Sequence, residues 1–181
     1  VGSAIGHATE DDPTQTLSSL YISNDNGANN NYSTNSISYA SAVMPVLFGS
    51  DSEYTLSFDY KVIGENNYDY LKVFICNSTV VIPANGEPTG EGVVQLMDKT
   101  SSVQNWTTVS FPLAGVSNSM KQIVFYWKND GTSGENPPAA IDNIEIVELN
   151  CGRPVQLTKS AVTANEVTLS WTETGNATQW M

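Results

Sequence analysis

Alternation of apolar and polar residues with a period of two is the strongest pattern along this chain. It is clearest in Tyr54–Lys61, where every second side chain is apolar. This period predicts a β-strand with one buried and one solvated face, because successive side chains point to opposite sides of a sheet. The same reasoning predicts strands at Leu20–Ser23, Tyr70–Ile75, Val93–Leu96, Trp106–Phe111 and Lys121–Trp127.

Turn-forming residues separate the predicted strands. Asn, Asp and Gly are concentrated at Asn24–Gly27, Gly64–Asn67, Asn85-Gly86 and Asn129–Gly131, and these residue types favour tight turns. No stretch has the periodicity of an amphipathic helix. Many short strands with regular turn signals predict an all-β fold, a jelly-roll sandwich, for residues 1–149.

The last strand predicted in this domain contains an unexpected acidic residue. Ile141, Ile144 and Ile146 are interrupted by Asp142 and Asn143. Because burying a carboxylate without a partner costs free energy, we expect hydrogen-bond donors or a cation at Asp142.

A domain boundary is predicted near Asn150–Pro154, where Gly and Pro end the strand. Two further short strands follow, and the second ends at Trp171. About 30 residues cannot bury a core of their own. We therefore interpret residues 150–181 as the first part of a second domain.

Charge narrows the choice of partners. The chain of 181 residues has 7 basic and 19 acidic side chains, a formal net charge of −12. Nucleic acids and anionic membranes are disfavoured, because their binding needs a basic surface. The same negative charge favours the binding of a cation such as calcium, although such a charge more commonly serves solubility. No segment is long and apolar enough to span a membrane.

The start of the sequence suggests a processed chain, whereas two cysteines alone do not decide the redox compartment. The sequence starts at Val1 without a signal peptide or an initiator Met, which indicates a mature or trimmed fragment. The two cysteines, Cys76 and Cys151, are compatible with one disulfide, and other arrangements stay open.

Catalytic motifs are scarce. The only histidine, His7, lies in a polar segment without a partner motif. Glycoside hydrolysis needs only two carboxyl groups, and Glu65 and Asp69 lie four residues apart in a predicted loop. Asp142 and Glu145 are expected on opposite faces of a strand and so cannot cooperate. A jelly-roll glycosidase is the least favoured alternative.

Calcium is the stronger chemical hypothesis. Asn24, Asp25 and Asn26 offer oxygen ligands within one turn, and Asp142 could complete the shell from a neighbouring strand. Alternatively, the turn residues are chosen for a positive φ angle, and backbone N–H groups satisfy Asp142. Such a calcium ion would be structural.

Aromatic side chains in polar loops suggest a binding platform. Sugar rings stack on exposed Tyr or Trp, with polar groups that fix their orientation. Tyr68, flanked by Asn67 and Asp69, is the best candidate for such a site. Trp106 and Trp127 are expected in the core, because Trp is mostly buried.

Two resemblances extend these expectations. The tail resembles the first two strands of a fibronectin type III domain through Pro154, Leu157, Val162, Val167–Trp171, Gly175 and Trp180. Residues 1–149 resemble the MAM-like jelly-roll family that includes the cleaved-adhesin domains of gingipain-type proteins. The matching segments are Ser19–Gly27, Leu56–Lys61, Gly64-Glu65, Asp69–Val73, Trp106, Phe125–Asp130 and Pro137–Ile146.

The second resemblance implies a function and a metal site. In such domains the Asp equivalent to Asp142 belongs to a structural calcium site, and a first strand precedes the segment equivalent to 1–6, so the first sheet here is expected to be incomplete. We therefore expect a non-catalytic extracellular or cell-surface adhesion module of a bacterial protein. It would bind glycan or a host protein, beside neighbouring domains of a larger chain. A structural spacer is the alternative.

Overall fold

The computed structural model describes residues 2–5, 18–49, 53–149 and 155–172. These ranges contain β-strands and no helix, and hence no helical segment capable of crossing a membrane. The strands are β1 (Gly2–Ile5), β2 (Ser18–Tyr21), β3 (Ser38–Leu47), β4 (Glu53–Ile63), β5 (Tyr70–Asn77), β6 (Val93–Thr100), β7 (Ser102–Leu113), β8 (Met120–Asn129), β9 (Ala140–Leu149), β10 (Val155–Ser160) and β11 (Thr168–Thr172).

Two antiparallel sheets form the main domain. Sheet A has the strand order β1-β2-β9-β4-β7, and sheet B has the order β3-β8-β5-β6. Between β2 and β9 the chain crosses to the other sheet at every connection except β5–β6, and these strands form two four-stranded layers, which is the arrangement of a jelly roll. The fold predicted from the sequence is confirmed. At one edge of sheet A, β1 pairs with β2, and the expectation that a preceding strand is missing stays a prediction.

The core lies between the inner faces of the two sheets. In β4, Tyr54, Leu56, Phe58, Tyr60 and Val62 are buried and alternate with partly exposed residues, as the sequence pattern predicted. The Phe58 ring packs against rings from β7 and β8, with centroids 6.0 Å from Phe111 and 5.2 Å from Phe125. Ring contacts of this kind add to the stability gained from apolar burial.

The outer face of sheet B carries a second apolar cluster. Phe74, Cys76, Val124 and Tyr126 are all buried there. They are covered by the loop of residues 78–92 between β5 and β6, which contributes Val80 and Ile82 to the cluster. This β5–β6 loop therefore acts as a third layer over part of the sandwich.

The strands β10 and β11 form the hairpin predicted for the tail. Every residue from 155 to 172 is exposed, including Trp171 with 43% of its surface accessible. Gly175 and Trp180, on which the resemblance to fibronectin type III also rests, lie outside the described residues. The two strands are confirmed, and the domain family of the tail stays a prediction.

Candidate functional site

Four connections meet at one end of the sandwich, which we call the loop end. They are the β2–β3 loop (22–37), the β4–β5 loop (64–69), Ser101 between β6 and β7, and the β8–β9 loop (130–139). They meet because the strand ends that they join are paired with one another, as in Ser38 with Asn129, Tyr70 with Lys128 and Lys61 with Ala140. The predicted ligand-binding residues Asn67, Tyr68 and Asp69 belong to this end.

Asp69 is the buried anchor of the loop end. Its side chain is fully buried. One oxygen, Oδ2, accepts a hydrogen bond from the Tyr32 hydroxyl at 2.7 Å, and Oδ1 accepts one from the backbone N–H of Asp130 at 3.0 Å. Burial, followed by the hydrogen bond to Asp69, raises the pKa of Tyr32. The structure therefore corrects the expectation that Asp69 contacts a ligand: it holds three loops together.

Two glycines allow this close packing. At Gly64, a Cβ atom would lie 2.7 Å from the backbone oxygen of Asp69. At Gly134, where φ is +94°, it would lie 2.7 Å from Oδ2 of Asp69. A side chain at position 64 would collide with backbone of its own β4–β5 loop, and one at position 134 would displace the Asp69 carboxylate and the Tyr32 hydroxyl from the β8–β9 loop.

Tyr68 and Asn67 project from this anchored base. Tyr68 has 53% of its surface exposed, as expected for a platform residue, and Asn67 is also exposed. Asn67 has a φ of 70°, a left-handed conformation that Asn adopts more readily than most residues. The tight turn therefore presents Tyr68 to solvent while its neighbour Asp69 points inward.

A polar groove of about 520 Å³ runs beside this turn. Its walls come from the β4–β5 loop, the start of β7 and the β8–β9 loop. The polar side chains that line it are Glu65, Asn66, Ser102, Gln104, Ser133 and Glu135. Amides, hydroxyls and carboxylates of this kind match a ligand rich in hydroxyl groups.

Glu65 is the chemically unusual residue of the groove. Its Oε2 atom is shielded from solvent and has no hydrogen-bond partner among the described residues. Desolvation, then the charges of Asp130 and Asp69, raise its pKa, and a hydrogen bond with Thr132 acts in the opposite direction. An acceptor in this state favours a ligand that donates a hydrogen bond.

A smaller pocket of about 180 Å³ lies on the other side of Tyr32. It is lined by serines of the β2–β3 loop, by Asn24 and Tyr39, and by Trp127. Trp127 is buried as expected, but its indole N–H has no acceptor among the described residues. This pocket also offers polar contacts for hydroxyl groups.

The predicted calcium turn is held by its own hydrogen bonds. Oδ1 of Asp25 accepts from the Ser23 hydroxyl at 2.6 Å and from the Asn29 backbone N–H at 3.0 Å, and Oδ2 accepts from the Asn29 amide at 2.8 Å. The Ser23 hydroxyl and then Asn29 lower the pKa of Asp25 to about 2. Asn26 has a φ of 59°, so the alternative, a turn chosen for positive φ, describes this segment.

Asp142 lies elsewhere, on the outer face of sheet A. It is directly opposite Asp59 in the β4–β9 register. Its Oδ1 accepts the backbone N–H of Asn143 at 2.7 Å, while Oδ2 is shielded and has no hydrogen-bond partner among the described residues. No hydrogen bond or ion pair among these residues joins it to the turn at Asn24–Asn26. A calcium site shared by Asp142 and the turn at Asn24–Asn26 stays a prediction.

The strand containing Asp142 also differs from the expected alternation. Asn143 has a φ of 49°, and the register shifts there, so that Asp142 faces Asp59 and Glu145 faces Ser57. Because Ser57 and Asp59 lie on the same face of β4, Asp142 and Glu145 share that face as well. The prediction that they lie on opposite faces was wrong, since it assumed a strand without a bulge.

The other carboxyl pair does not have the geometry of a hydrolytic site. Asp69 is buried and both its oxygens accept protein hydrogen bonds, so only Glu65 of this pair faces the groove. Glycoside hydrolysis requires two carboxyl groups that both reach the substrate. Among the described residues, no group of three or more His, Cys, Asp or Glu is placed to hold a metal ion.

Two further expectations concern Trp106 and the cysteines. Trp106 is only partly buried and packs on the outer face of sheet A, with Lys61 Nζ 4.9 Å from its ring centroid. Its expected place in the core was wrong, because it shares the outward face of β7 with Thr108. Cys76 is a free, buried thiol, and Cys151 lies outside the described residues, as does His7.

Comparisons with known proteins do not identify a family for this chain. No protein-family model and no curated protein matches the chain. It is similar to a solved structure described as "CBM4 structure and function", with 13% identity, a TM-score of 0.38, and coverage of 60% of this chain and 61% of that chain. It is also similar to the CBM22-1 xylan-binding domain of Xyn10C from Paenibacillus barcinonensis, with 12% identity, a TM-score of 0.34, and coverage of 56% and 58%. The chain thus spans about three fifths of each structure, and the jelly-roll assignment rests on its own strand order.

Sequence reasoning missed several residues of the loop end. The sequence indicated Glu65 only as one of two carboxyl groups for glycoside hydrolysis. No motif or pattern indicated the groove residues Gln104 and Ser133. They lie far apart in the chain and meet only because the strands that carry them end at the same place. The Gly64-Glu65 pair in a turn was the one local hint.

Proposed function

We propose that this domain is a non-catalytic glycan-binding module whose ligand lies in the groove at the loop end. The observation that carries the proposal is the exposed Tyr68 ring in the same β4–β5 loop as Glu65 and Asn66, two residues that line a polar groove. An aromatic platform beside fixed hydrogen-bonding groups is the combination that recognises sugar rings. Asp69 serves the site indirectly, by fixing the turn that presents Tyr68.

Hydrogen bonds between the loops that form the groove support a binding site. The Asp69 network ties the β2–β3, β4–β5 and β8–β9 loops to each other, so the groove is formed before a ligand arrives. Preorganisation of this kind raises affinity because less freedom is lost on binding. Asp69, the carboxyl partner that the sequence offered for Glu65, is buried and accepts protein hydrogen bonds, while Glu135 shares the groove with Glu65. The role that we assign to Glu65 is to accept a hydrogen bond from a sugar hydroxyl.

The proposal extends to location and partners. The resemblance to cleaved-adhesin domains and the low charge content, only 14% of residues, favour an extracellular or cell-surface protein. In that setting the glycan would belong to a surface or host glycoprotein, and neighbouring domains of a longer chain would carry the module. A structural spacer would have the same fold but no affinity for glycans.

A glycan array tests the proposal. We expect the wild-type protein to bind at least one class of oligosaccharide and Tyr68→Ala to lose about tenfold in affinity, since one aromatic contact contributes about 1 kcal/mol or slightly more. Val81→Ala is the matched control, because Val81 is 87% exposed on the β5–β6 loop. Absence of all binding, or equal binding by the Tyr68 variant, would reject this site.

We also propose a structural calcium ion at Asp142 and Asp59. Residues directly opposite in an antiparallel pair have Cβ atoms about 5 Å apart, and like charges there destabilise the sheet. Asp59 accepts hydrogen bonds from Thr108 and Asn143, whereas Oδ2 of Asp142 has no hydrogen-bond partner. Carboxylate oxygens of this kind suit calcium, with hydroxyl, amide or backbone oxygens as further ligands. The ion would link β4 and β9.

A further inference from the structure

A row of alternating aromatic and basic side chains crosses the outer face of sheet B near the loop end. Tyr39 of β3 is opposite Lys128 of β8, and Lys128 is opposite Tyr70 of β5. Lys99 of β6 extends the row, with its Nζ 5.4 Å from the Tyr70 ring centroid, and Lys128 Nζ lies 5.6 Å from the same centroid. Since neighbouring strands are about 4.8 Å apart, the row is about 14 Å long.

The positive charge of this row is unusual for the molecule. The whole chain has only 7 basic residues and a net charge of −12, yet Lys72, Lys99 and Lys128 all approach the Tyr70 ring. Lys72 forms an ion pair with Glu87. In the part of the chain that the structure describes, Lys99 and Lys128 form no ion pair.

The acidic groups near the row are already engaged. Glu87 accepts hydrogen bonds from Lys72 Nζ at 2.7 Å and from the Tyr70 hydroxyl at 2.9 Å. Asp98 accepts the backbone N–H of Lys99 at 2.7 Å, but it does not pair with the ammonium group of Lys99. The ammonium groups of Lys99 and Lys128 therefore remain available to an anion, which they would bind more strongly than a neutral group.

The row meets the hydroxyl-lined pocket of about 180 Å³ at one residue. Tyr39 belongs to both, since it also lines that pocket together with Trp127. Trp127 lies opposite Ala40 in the β3–β8 register and faces the core, whereas Tyr39 and Lys128 face the outer side of sheet B. The basic row therefore forms a surface of its own on the outer side of sheet B.

We propose that the Tyr39–Lys128–Tyr70–Lys99 row binds a carboxylated sugar unit within an otherwise neutral glycan. The inference rests on the proposed glycan binding and adds a second contact surface to it, because none of the four row residues lines the groove that contains Glu65. A single carboxylate fits better than a polyanion, because a net charge of −12 repels polyanions at distances that salt does not fully screen. A carboxylated unit can be a sialic acid or a uronic acid, and both present the same group to lysine.

The test compares charged and neutral versions of the same sugar by calorimetric titration of the full chain. One arm uses 3′-sialyllactose against lactose, and the other uses digalacturonic acid against its methyl ester. We expect one acid to bind about tenfold more tightly than its neutral counterpart, since a charge-assisted hydrogen bond contributes about 1.5 kcal/mol or more. The arm that responds identifies the source of the carboxylate.

Two variants that each remove two lysine charges show where on the protein the preference for the acid arises. The double variant Lys99→Gln/Lys128→Gln should lose the preference for the acid and keep its affinity for the neutral sugar. The control Lys61→Gln/Lys159→Gln removes two charges from other surfaces and should keep the preference. Equal affinity for the acid and neutral sugars, or a preference for the acid that survives in the Lys99/Lys128 variant, would overturn the proposed carboxylate binding. The proposed glycan binding would not be affected by either result. Failure of the wild-type protein to bind either sugar here and every glycan of the array would overturn the glycan-binding function as well.

Discussion

At the scale of single residues, the loop end depends on buried polar groups whose roles no local pattern reveals. Tyr68 was predicted to be exposed, because it lies among Asn and Asp in a turn, and it is. Asp69, its neighbour, has the same sequence surroundings and is fully buried. The difference comes from Tyr32, 37 positions away, which supplies the hydrogen bond that makes burial possible. Such a long-range partner cannot be identified from one sequence.

Replacement of Asp69 should therefore destabilise the fold. Asp69→Ala leaves the Tyr32 hydroxyl and the Asp130 N–H without acceptors, so we expect a loss of about 3 kcal/mol in the free energy of unfolding. Tyr32→Phe, which removes one donor, should cost about 1 kcal/mol. Urea denaturation of both variants measures these losses. If Asp69→Ala unfolds at the wild-type urea concentration, Asp69 is not an anchor.

Replacement of Glu65 should have the opposite effect and stabilise the folded protein. Its folded pKa is raised above the ordinary value of 4.5 by desolvation and by Asp130 and Asp69, so the ionised form is disfavoured in the folded protein. The resulting loss of stability is absent at pH values below the pKa of Glu65 in the unfolded chain. It is complete at pH values above the pKa of Glu65 in the folded protein. Glu65→Gln should thus raise the melting temperature at pH 7 and leave it unchanged near pH 4.

The matched control for that prediction is Glu166→Gln, an exposed position on the tail. It removes the same charge without changing the groove, so its melting temperature should follow that of the wild type at both values of pH. A melting temperature of Glu65→Gln below that of the wild type at pH 7 would show that the carboxylate stabilises the loop end instead.

At the scale of elements, the positions of most strands were easier to predict than the bulges and irregular patterns within them. The alternation in β4 is visible because its two faces differ sharply in polarity. β3 was missed, because Ala and Ser replace large apolar residues and Pro45 interrupts the pattern; an edge strand tolerates such a proline. The bulge at Asn143 was missed too, since a single left-handed residue changes the register without changing the composition.

The β5–β6 loop is an element whose function can be measured. Glu87 fixes it to sheet B through Lys72 and Tyr70, and Cys76 lies buried beneath it. Glu87→Gln weakens this link by about 1 kcal/mol, so the loop should open about fivefold more often. In a Cys151→Ser background, the rate at which a thiol reagent labels Cys76 reports this opening directly.

A second acidic residue of the β5–β6 loop provides the control. Glu91→Gln changes the same charge on the same loop without an ion pair to Lys72, and it should label at the rate of the background protein. If Glu87→Gln labels no faster than that background, the ion pair does not hold the loop closed.

At the scale of the whole molecule, the jelly roll follows from the number, spacing and polarity of the strands, and that part was predictable. The meeting of loops at one end is a consequence of the fold, and it creates the groove, the smaller pocket and the basic row from residues far apart in sequence. The sequence alone indicated Tyr68 as part of a site. It did not indicate the lysines, because their proximity depends on strand order.

Calcium should stabilise the whole domain if the proposed ion links β4 and β9. A ligand that binds only the folded state raises stability by mass action, so the melting temperature should rise between EDTA and millimolar calcium. Asp142→Asn should abolish this rise. Asp25→Asn is the control, because Asp25 is engaged by its own turn, and this variant should keep the rise. If Asp142→Asn also keeps it, calcium binds elsewhere.

The most direct test of the central claim is an NMR titration of the labelled protein with the oligosaccharide selected on the glycan array. Binding in the loop-end groove predicts shifts of the backbone amides of residues 64–68 and 133–135, with smaller effects along β4 and β8. The same titration of Tyr68→Ala should need about tenfold more sugar for equal shifts. Shifts confined to other surfaces, or none at saturating sugar, would contradict the account.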